Sequence, residues 1–357
     1  MSAPILSDSA VLIINLGTPA SLKISSLRVY LREFLIDKRV INLPFWARFL
    51  LVYCIIAPFR PFKVKKNYAK IWKDGQSPLA FYTKELTFAL QKKFQNQPSS
   101  TSVRVDYAMR YGQPSIKNKI QDFAKAGCKN IFVVPLYPQY ASATIGSVYE
   151  EVMNQLKNLW HLPNVQFILP YFDHPSFFEA QAKQALGFLK NDYDGYLFSY
   201  HSLPKDHLQI GEFGKGFCQM TEECCSHIGL ENGFCYRAQC LKTTESIRTF
   251  LQLPKEKVFN SFQSRLGFKE WIQPYTTNMV KILPQKGVKK LLVFSPSFVT
   301  DCVETLEEIG HTEKENFLHA GGTKFDLVPC VNAAPFWVEG LKQMIDNQWS
   351  KKQPAKI

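Results

Sequence analysis

Several familiar motifs are absent from this sequence, and each absence narrows the range of functions. No GxGxxG or GxxxxGK[ST] motif follows a candidate strand, so no nucleotide cofactor is expected. No run of basic residues alternates with aromatic residues, so nucleic acid is not an expected partner. Yet 43 Lys and Arg against 30 Asp and Glu give a net charge of +13. This surplus suits an anionic membrane surface or an acidic small molecule.

The first residues, MSAPILSDSAVLIINLG, also lack the features of a signal peptide. They contain no basic n-region and no small-residue cleavage site, so a cytoplasmic location is expected. An unusual apolar stretch at residues 45–59 is interrupted only by Arg48. It is shorter than the roughly 20 residues that a bilayer-spanning helix needs.

Two interpretations of this apolar stretch remain open. One is a buried core helix. The other is a hydrophobic lip at residues 43–63 that enters the membrane interface and holds the protein peripherally on the inner membrane. In that case four basic residues would meet anionic headgroups: Arg60, Lys63, Lys65 and Lys66.

Nine cysteines occur without a CxxC pair, so a zinc ribbon is a poor fit. In a cytoplasmic protein they favour reduced thiols or metal ligands over disulfides. Five lie in a cysteine-rich insert at residues 211–240: Cys218, Cys224, Cys225, Cys235 and Cys240. Four thiolates in one segment suit an iron–sulfur cluster, and reduced structural thiols are the alternative.

Short apolar or β-branched runs alternate with amphipathic stretches along the chain. The candidate strands are residues 10–16, 103–109, 130–137, 165–171, 195–201, 257–263 and 289–296. Continuous apolar strands joined by helices predict parallel sheets covered on both faces. The recurrence of this pattern predicts an α/β fold of two similar Rossmann-like, doubly wound domains with four-stranded sheets. We expect these domains at residues 1–165 and 166–345, followed by a polar tail at 346–357.

Residues 299–310, VTDCVETLEEIG, contain a dense acidic patch. Its carboxylates are Asp301, Glu304, Glu307 and Glu308. Asp301 could cap a helix with Glu304 as its capping-box partner. The alternative is function, because ligands of doubly wound sheets bind beyond the carboxyl ends of the strands.

His201 also closes a candidate strand and is therefore expected in the same cleft. Its imidazole has a reference pKa of about 6.5, which suits the removal of protons from a weakly acidic N–H near neutrality. A structural role at the strand end is the alternative. Loops at residues 16–19, 109–116, 137–147 and 261–276 mix aromatics with Gly, Pro and Ser. They would form a cleft for a large flat ligand, with Arg110 and Arg265 available to carboxylates.

Eight motifs together give a resemblance to a known family. In chain order they are LGTP, LREFLIDKRVINLP, KDGQSPL, MRYGQPSI, PLYPQYASATIGS, FSYHSLP, SFQSRLG with EW-QPYT, and DCVETLEEI. They run from about residue 11 to residue 309. The sequence resembles the ferrochelatases, which insert ferrous iron into protoporphyrin IX at the end of haem synthesis.

The resemblance implies roles for individual residues. His201 matches the active-site histidine, and Glu304 matches the carboxylate facing it across the porphyrin, so both would lie beside the substrate iron. Glu304 would share a helical stripe with Asp301 and Glu308 that could relay protons or iron. The porphyrin-binding positions would be Leu16, Ser77, Arg110, Tyr111, Gln263, Ser264 and Trp271. A hydrophobic lip is also a family feature.

Some ferrochelatases carry a two-iron two-sulfur (2Fe–2S) cluster held by one internal and three C-terminal cysteines. Here Ser142 stands at the internal position and no cysteine follows Cys330. Other bacterial members place all ligands in an internal insert, which implies four of the five cysteines at 211–240.

Alternatives to protoporphyrin ferrochelatase remain open. They are a chelatase for coproporphyrin or for cobalt, and a non-catalytic porphyrin or haem carrier. A hydrophobic lip favours protoporphyrin as the substrate, because a porphyrin with more carboxylates has less need of a membrane. Other haem-pathway enzymes are expected as possible partners.

Overall fold

The computed structural model describes residues 8–96, 102–209, 218, 221, 223–265, 267 and 269–350, the side chain of Ser350 excepted. The strands are β1 Ser9–Gly17, β2 Val103–Tyr111, β3 Asn130–Pro135, β4 Asn164–Phe167, β5 Gly195–His201, β6 Val258–Gln263, β7 Lys290–Phe294 and β8 Lys324–Leu327. They form two four-stranded sheets in the orders β2-β1-β3-β4 and β6-β5-β7-β8. All six strand pairings are parallel. The predicted α/β fold with two such sheets is confirmed.

Helices connect the strands within the described ranges. The α-helices are α1 Ile24–Leu35, α2 Phe45–Leu50, α3 Ala57–Ile71, α4 Pro78–Gln95, α5 Ile116–Lys125, α6 Ser147–Leu156, α7 Pro175–Ala185, α8 Tyr236–Phe250, α9 Thr276–Ile282, α10 Lys314–His319 and α11 Pro335–Ser350. Three segments wind as π-helices: Leu51–Ile56, Ser142–Gly146 and Glu304–Glu313. Short 3₁₀ turns occupy Phe188–Lys190, Lys205–Leu208, Glu223–Cys225, Lys255–Lys257 and Pro284–Lys286.

The chain divides into two compact units. The first takes the described residues up to Tyr137, then Ser142–Leu169 and those from Asn332 onward, and the second takes Pro138–Ala141 and Pro170–Val331. Helix α11 therefore groups with the first unit, although residues up to 345 were expected in the second domain. Residues 346–350, expected to begin a polar tail, continue this helix. The remainder of that tail, 351–357, lies outside the described residues.

The core of the first unit surrounds its central strand β1. Residues 10–14 of this strand, AVLII, are fully buried, as expected for a strand covered on both faces. Gly17 ends the strand with φ +113°, and a Cβ there would lie 1.7 Å from the Tyr111 carbonyl oxygen. Only glycine permits this close approach, which explains the glycine of the LGTP motif.

The apolar stretch lies in one continuous helical run, Phe45–Ile71, formed by α2, the π-helix Leu51–Ile56 and α3. This run has 27 residues and a mean hydropathy of 1.3 over its most apolar window, so it meets the length and composition of a membrane span. Only 22% of that window is buried, against the expectation of a buried core helix. Val52, Ala57 and Tyr68 form the buried face.

Helix α1 donates a hydrogen bond to this helical run near Pro61. Pro61 has no N–H to donate to the Ala57 carbonyl one turn earlier. Arg28 Nε of α1 donates to that carbonyl instead, at 3.3 Å. The large exposed apolar side chains of the run are Phe45, Trp46, Phe49, Leu50, Ile55, Phe59 and Phe62.

In the second unit, β5 lies between β6 and β7 with apolar clusters on both faces. Tyr200 and Phe294 belong to one cluster, and Leu197 and Phe317 belong to the other. The edge strand β8 was not predicted from the sequence. The cysteine-rich insert falls in this unit, but residues 210–217, 219, 220 and 222 lie outside the described residues.

Candidate functional site

His201 is the last residue of β5, at the carboxyl edge of the second sheet. Its ring Nδ1 lies 2.6 Å from the Ser202 carbonyl oxygen. Because a carbonyl oxygen only accepts, Nδ1 carries the proton and Nε2 keeps its lone pair. The partly exposed imidazole is therefore set to accept a proton at Nε2.

Two hydroxyl groups hold the main chain of His201. Its N–H donates to Ser297 Oγ at 3.1 Å, and its carbonyl accepts from the Tyr236 hydroxyl at 2.8 Å. The hydroxyl oxygens of Tyr236 and Ser297 lie 3.2 Å apart. Neither residue was singled out from the sequence.

Gln263 connects His201 to the acidic patch. It pairs with His201 across the parallel strands β5 and β6. Its side-chain amide donates to the main-chain carbonyl of Glu304 at 3.1 Å, and its amide oxygen accepts from Ser199 at 2.7 Å. The predicted residues His201, Gln263 and Glu304 thus belong to one connected structure in the second unit.

The capping interpretation of the acidic patch is wrong. The π-helix Glu304–Glu313 follows Val303, and no side chain caps it. Asp301 lies before this helix, and its buried carboxylate accepts from the Thr305 hydroxyl at 3.1 Å and the Cys330 N–H at 3.3 Å. Asp301 therefore does not share the helical stripe expected for it with Glu304 and Glu308.

Glu308 instead contacts Ser264, another predicted residue. The Ser264 N–H donates to one carboxylate oxygen at 2.9 Å, and its hydroxyl donates to the other. Ser264 has φ +68°, an uncommon conformation for serine that aims both donors at one group. Burial and the neighbouring charges of Glu304 and Glu313 raise the pKa of Glu308, the Ser264 bonds oppose the shift, and the net pKa is about 7.

The π-helix Glu304–Glu313 carries a row of carboxylates. Within the described part of the chain, no Lys, Arg or His forms an ion pair with Glu304, Glu308 or Glu313. Glu313 is buried and accepts from Thr277 and Asn316. Carboxylates without a cation in a partly buried place attract protons or metal ions.

Arg110 and Tyr111 end strand β2 in the first unit, where they form a buried network around Asp37. One Asp37 oxygen, Oδ2, accepts from Arg110 at 2.7 Å, from Tyr111 at 2.8 Å and from Ser147 at 2.6 Å. Burial alone would raise the pKa of Asp37, but the bonds from Ser147, the Arg39 amide and Tyr111, with the charge of Arg110, lower it. Arg110 is therefore already paired with an anion.

The other predicted binding residues have different environments. Ser77 is buried and caps α4 by accepting from the Ala80 N–H at 3.2 Å. Leu16 packs beside the apolar cluster that contains Tyr111. Trp271 forms an isolated bridge with Pro204 in the second unit. The side chain of Arg265 lies over the Tyr275 ring.

Of the five cysteines in the insert, Cys218, Cys224 and Cys235 are partly exposed, whereas Cys225 and Cys240 are buried. Cys224 Sγ and Cys225 Sγ are 3.7 Å apart. A hydrogen bond with Cys225 lowers the pKa of Cys235, which also interacts electrostatically with Cys218. Cys240 is fully buried in the apolar cluster with Tyr200, and burial raises its pKa well above the usual value. Among the described residues, no group of three or more His, Cys, Asp or Glu is arranged to hold a single metal ion.

Three residues of these networks were missed for different reasons. Asp37 lies inside the quoted motif LREFLIDKRVINLP, so a signal was available. Tyr236 is surrounded by cysteines that drew attention to metal binding. Ser297 follows β7 in a loop where serine is common.

Comparison with known proteins identifies the family. A ferrochelatase family model matches residues 8–349. The ferrochelatase of Legionella pneumophila subsp. pneumophila (strain Philadelphia 1) is 38% identical over 340 residues, covering 95% of this chain and 99% of that protein. The ferrochelatase of Pseudomonas fluorescens (strain Pf0-1) is 40% identical over 342 residues, covering 96% and 98%.

Solved structures support the fold. SirB from Bacillus subtilis with Fe3+ matches with a TM-score of 0.53 and 12% identity, covering 96% of this chain and 98% of that chain. At this identity the likeness shows the fold alone. The family model and the near-full-length relatives go further: this chain belongs to the ferrochelatase family and is a metal chelatase that inserts iron into a porphyrin for haem synthesis.

Proposed function

We propose that the chain inserts ferrous iron into protoporphyrin IX to give protohaem, with His201 and Glu304 as the catalytic pair. The observation that carries this proposal is the position of Gln263, which pairs with His201 and donates to the Glu304 carbonyl. An imidazole that can accept a proton and a carboxylate without a basic partner thus lie on connected elements of one unit. The reaction removes two pyrrole protons and introduces a dication, which requires both kinds of group.

In this mechanism His201 accepts the two pyrrole protons one after the other at Nε2, releasing the first to solvent before it takes the second, while Nδ1 stays bonded to the Ser202 carbonyl. Glu304 contacts the incoming iron, and His201 contacts it from the other side of the ring. Glu308 passes protons or iron along the π-helix, since a pKa of about 7 allows it to exchange protons near neutrality. Asp301, beneath the start of this helix, remains a proposed second relay position.

The porphyrin would contact Leu16, Ser77, Arg110, Tyr111, Gln263, Ser264 and Trp271. Binding a puckered ring would tilt the nitrogen lone pairs toward the metal and so approach the transition state. The contacts of Ser77 and Arg110 favour indirect roles for these two, because both already have protein partners.

The choice of substrate is tested by competition. Purified protein is given protoporphyrin IX or coproporphyrin III, each with ferrous iron or cobalt under anaerobic conditions, and kcat/KM is measured for all four pairs. The highest value is expected for ferrous iron with protoporphyrin IX. A higher value for coproporphyrin III would contradict the assignment.

The exposed apolar side chains of Phe45–Ile71 support peripheral association with an anionic membrane surface. Phe59 and Trp46 are 73% and 69% exposed, and Lys63, Lys65 and Lys66 follow them on the exposed surface. Aromatic residues beside a basic segment suit the membrane interface. We propose a cytoplasmic protein on the inner membrane, where the apolar porphyrin dissolves and other haem-pathway enzymes could approach it.

The cysteines suit a 2Fe–2S cluster held by Cys218, Cys224, Cys225 and Cys235. Such a cluster distributes its four thiolates over two irons, and when bound it can carry one electron. The hydrogen bond between Cys225 and Cys235 lowers the pKa of Cys235 and raises that of Cys225, so Cys235 is the favoured thiolate of the pair, and Cys218 interacts with it electrostatically. Cys240 fits less well than Cys225, because Cys240 belongs to the apolar cluster around Tyr200 and Cys225 does not.

The ligand set is tested by the visible spectrum and iron content of protein purified anaerobically. Serine substitution of Cys218, Cys224, Cys225 or Cys235 is expected to remove the brown colour and the bound iron. Cys240→Ala, the matched control, is expected to keep both. A colourless wild type without iron would refute the cluster, and loss of colour in Cys240→Ala alone would refute this ligand set.

A further inference from the structure

Tyr236 lies next to a cysteine of the insert in sequence and contacts the strand end that carries His201. It is the first residue of α8 and directly follows Cys235, which precedes the helix. Its side chain is buried, and its hydroxyl donates to the His201 carbonyl at 2.8 Å. The residue thus joins the cysteine group Cys218, Cys224, Cys225 and Cys235 to the strand end that carries His201.

The contacts of Tyr236 hold both polar atoms of the His201 main chain. Its hydroxyl lies 3.2 Å from Ser297 Oγ, the group that accepts the His201 N–H. A buried carbonyl that lost the Tyr236 donor would be left without a strong partner.

We propose that Tyr236 is a positioning residue that fixes the main chain of His201 and couples it to the state of the cysteine group. The inference rests on the proposed catalytic role of His201 and extends it. Any change that moves Cys235, such as loss of a bound cluster, moves the start of α8 and with it the Tyr236 hydroxyl. The geometry of His201 then depends on a segment that touches no substrate.

The neighbouring Tyr200 provides a matched control. It is also buried, it precedes His201 on β5, and its hydroxyl contacts Thr244 at 2.8 Å. Tyr200→Phe and Tyr236→Phe each remove one buried hydroxyl. Of the two substitutions, Tyr236→Phe is the one that removes the hydrogen bond to the His201 carbonyl.

The test is hydrogen exchange of the His201 amide, followed by mass spectrometry of the peptide 199–204. Tyr236→Phe is expected to speed exchange about five- to tenfold, because it removes the hydroxyl that contacts Ser297 Oγ, the acceptor of the His201 N–H. Tyr200→Phe alters a residue of this peptide, so the comparison is made at the His201 amide, whose exchange is expected to stay as in wild type. Equal exchange in the two variants would overturn the positioning role.

A double-mutant comparison tests the coupling. Cys235→Ser is expected to speed exchange of the same peptide, with no further increase when it is combined with Tyr236→Phe. Additive effects, or no effect of Cys235→Ser, would overturn the link to the cysteine group. In the insertion assay Tyr236→Phe should lower kcat with little change in the KM for porphyrin. The exchange result decides the role of Tyr236 whether or not His201 proves catalytic, so the two failures are distinguishable.

Discussion

At the scale of single residues, two largely buried carboxylates, Asp37 and Glu308, lie in opposite chemical environments. Asp37 in the first unit is surrounded by donors and by Arg110, which keep it ionised. Glu308 in the second unit has Ser264 as its donor and two neighbouring glutamates that oppose its ionisation. The first arrangement stabilises a structure, and the second keeps a group ready to exchange a proton.

Glu308→Gln is expected to change the pH dependence of stability. The folded pKa of about 7 exceeds the ordinary carboxyl value of 4.5, so ionisation of Glu308 opposes folding. Wild type should lose unfolding free energy between about pH 4.5 and 7, by on the order of 2 to 3 kcal/mol, and level off above. The variant should lack this loss.

Urea unfolding at pH 5 and pH 8 measures the difference. The stability of Glu308→Gln relative to wild type should rise between these two values, whatever constant cost the lost Ser264 contact adds. The exposed Glu256→Gln serves as control and should show no such rise. A pH-independent difference for Glu308→Gln would contradict the environment assigned to this residue.

Asp37→Asn should destabilise the first unit strongly, because it leaves the largely buried Arg110 guanidinium without its anion. The expected cost is about 3 to 5 kcal/mol in the free energy of unfolding. Asp106→Asn, on the strand β2 that carries Arg110, is the control, since its partners Lys119 and Arg104 belong to a more exposed group. Equal losses of stability in the two variants would contradict the larger stabilisation expected from the buried Asp37 network.

At the scale of elements, the three π-helical segments lie at places with proposed roles. Leu51–Ile56 is within the lip, Ser142–Gly146 precedes Ser147 of the Asp37 network, and Glu304–Glu313 carries the acidic row. A π-helix forms i to i+5 hydrogen bonds and often marks a functional site. The sequence rule for α-helical stripes grouped Asp301 with Glu304 and Glu308, and it failed because the helix starts later and winds differently.

The lip is expected to bind membranes without stabilising the fold. Replacing both Trp46 and Phe59 by serine removes highly exposed apolar surface, so binding to anionic vesicles should fall roughly tenfold or more. The thermal midpoint should stay near that of wild type. Vesicle sedimentation measures binding, and Trp160→Ser, which removes a 94% exposed tryptophan elsewhere, is the control. An equal loss of binding in the control would contradict a specific lip.

At the scale of the whole molecule, much of the fold could be predicted from the sequence because buried parallel strands are continuously apolar. All seven predicted strands exist, with boundaries within a few residues. The edge strand β8, KFDL, was not predicted, because it is four residues long and half of its residues are charged. The grouping of α11 with the first unit was also not predicted, since hydrophobic periodicity does not indicate which sheet a helix covers.

The candidate site was predictable only where side chains belong to recognisable motifs. His201, Gln263, Ser264, Glu304 and Glu308 were found, and the structure connects them. Tyr236 and Ser297 contact the main chain of His201 and belong to no motif recognised in the sequence. Positions of this kind depend on which hydroxyl meets which carbonyl, and tertiary structure alone determines that.

The most direct test is an anaerobic insertion assay with protoporphyrin IX and ferrous iron in detergent, following the loss of porphyrin fluorescence. Wild type, His201→Ala and Glu304→Gln are compared, and porphyrin binding is measured for each. We expect catalytic consumption by wild type and at least a hundredfold lower kcat in both variants with binding retained. Near-normal turnover in either variant would contradict the assignment of His201 and Glu304 as the catalytic pair.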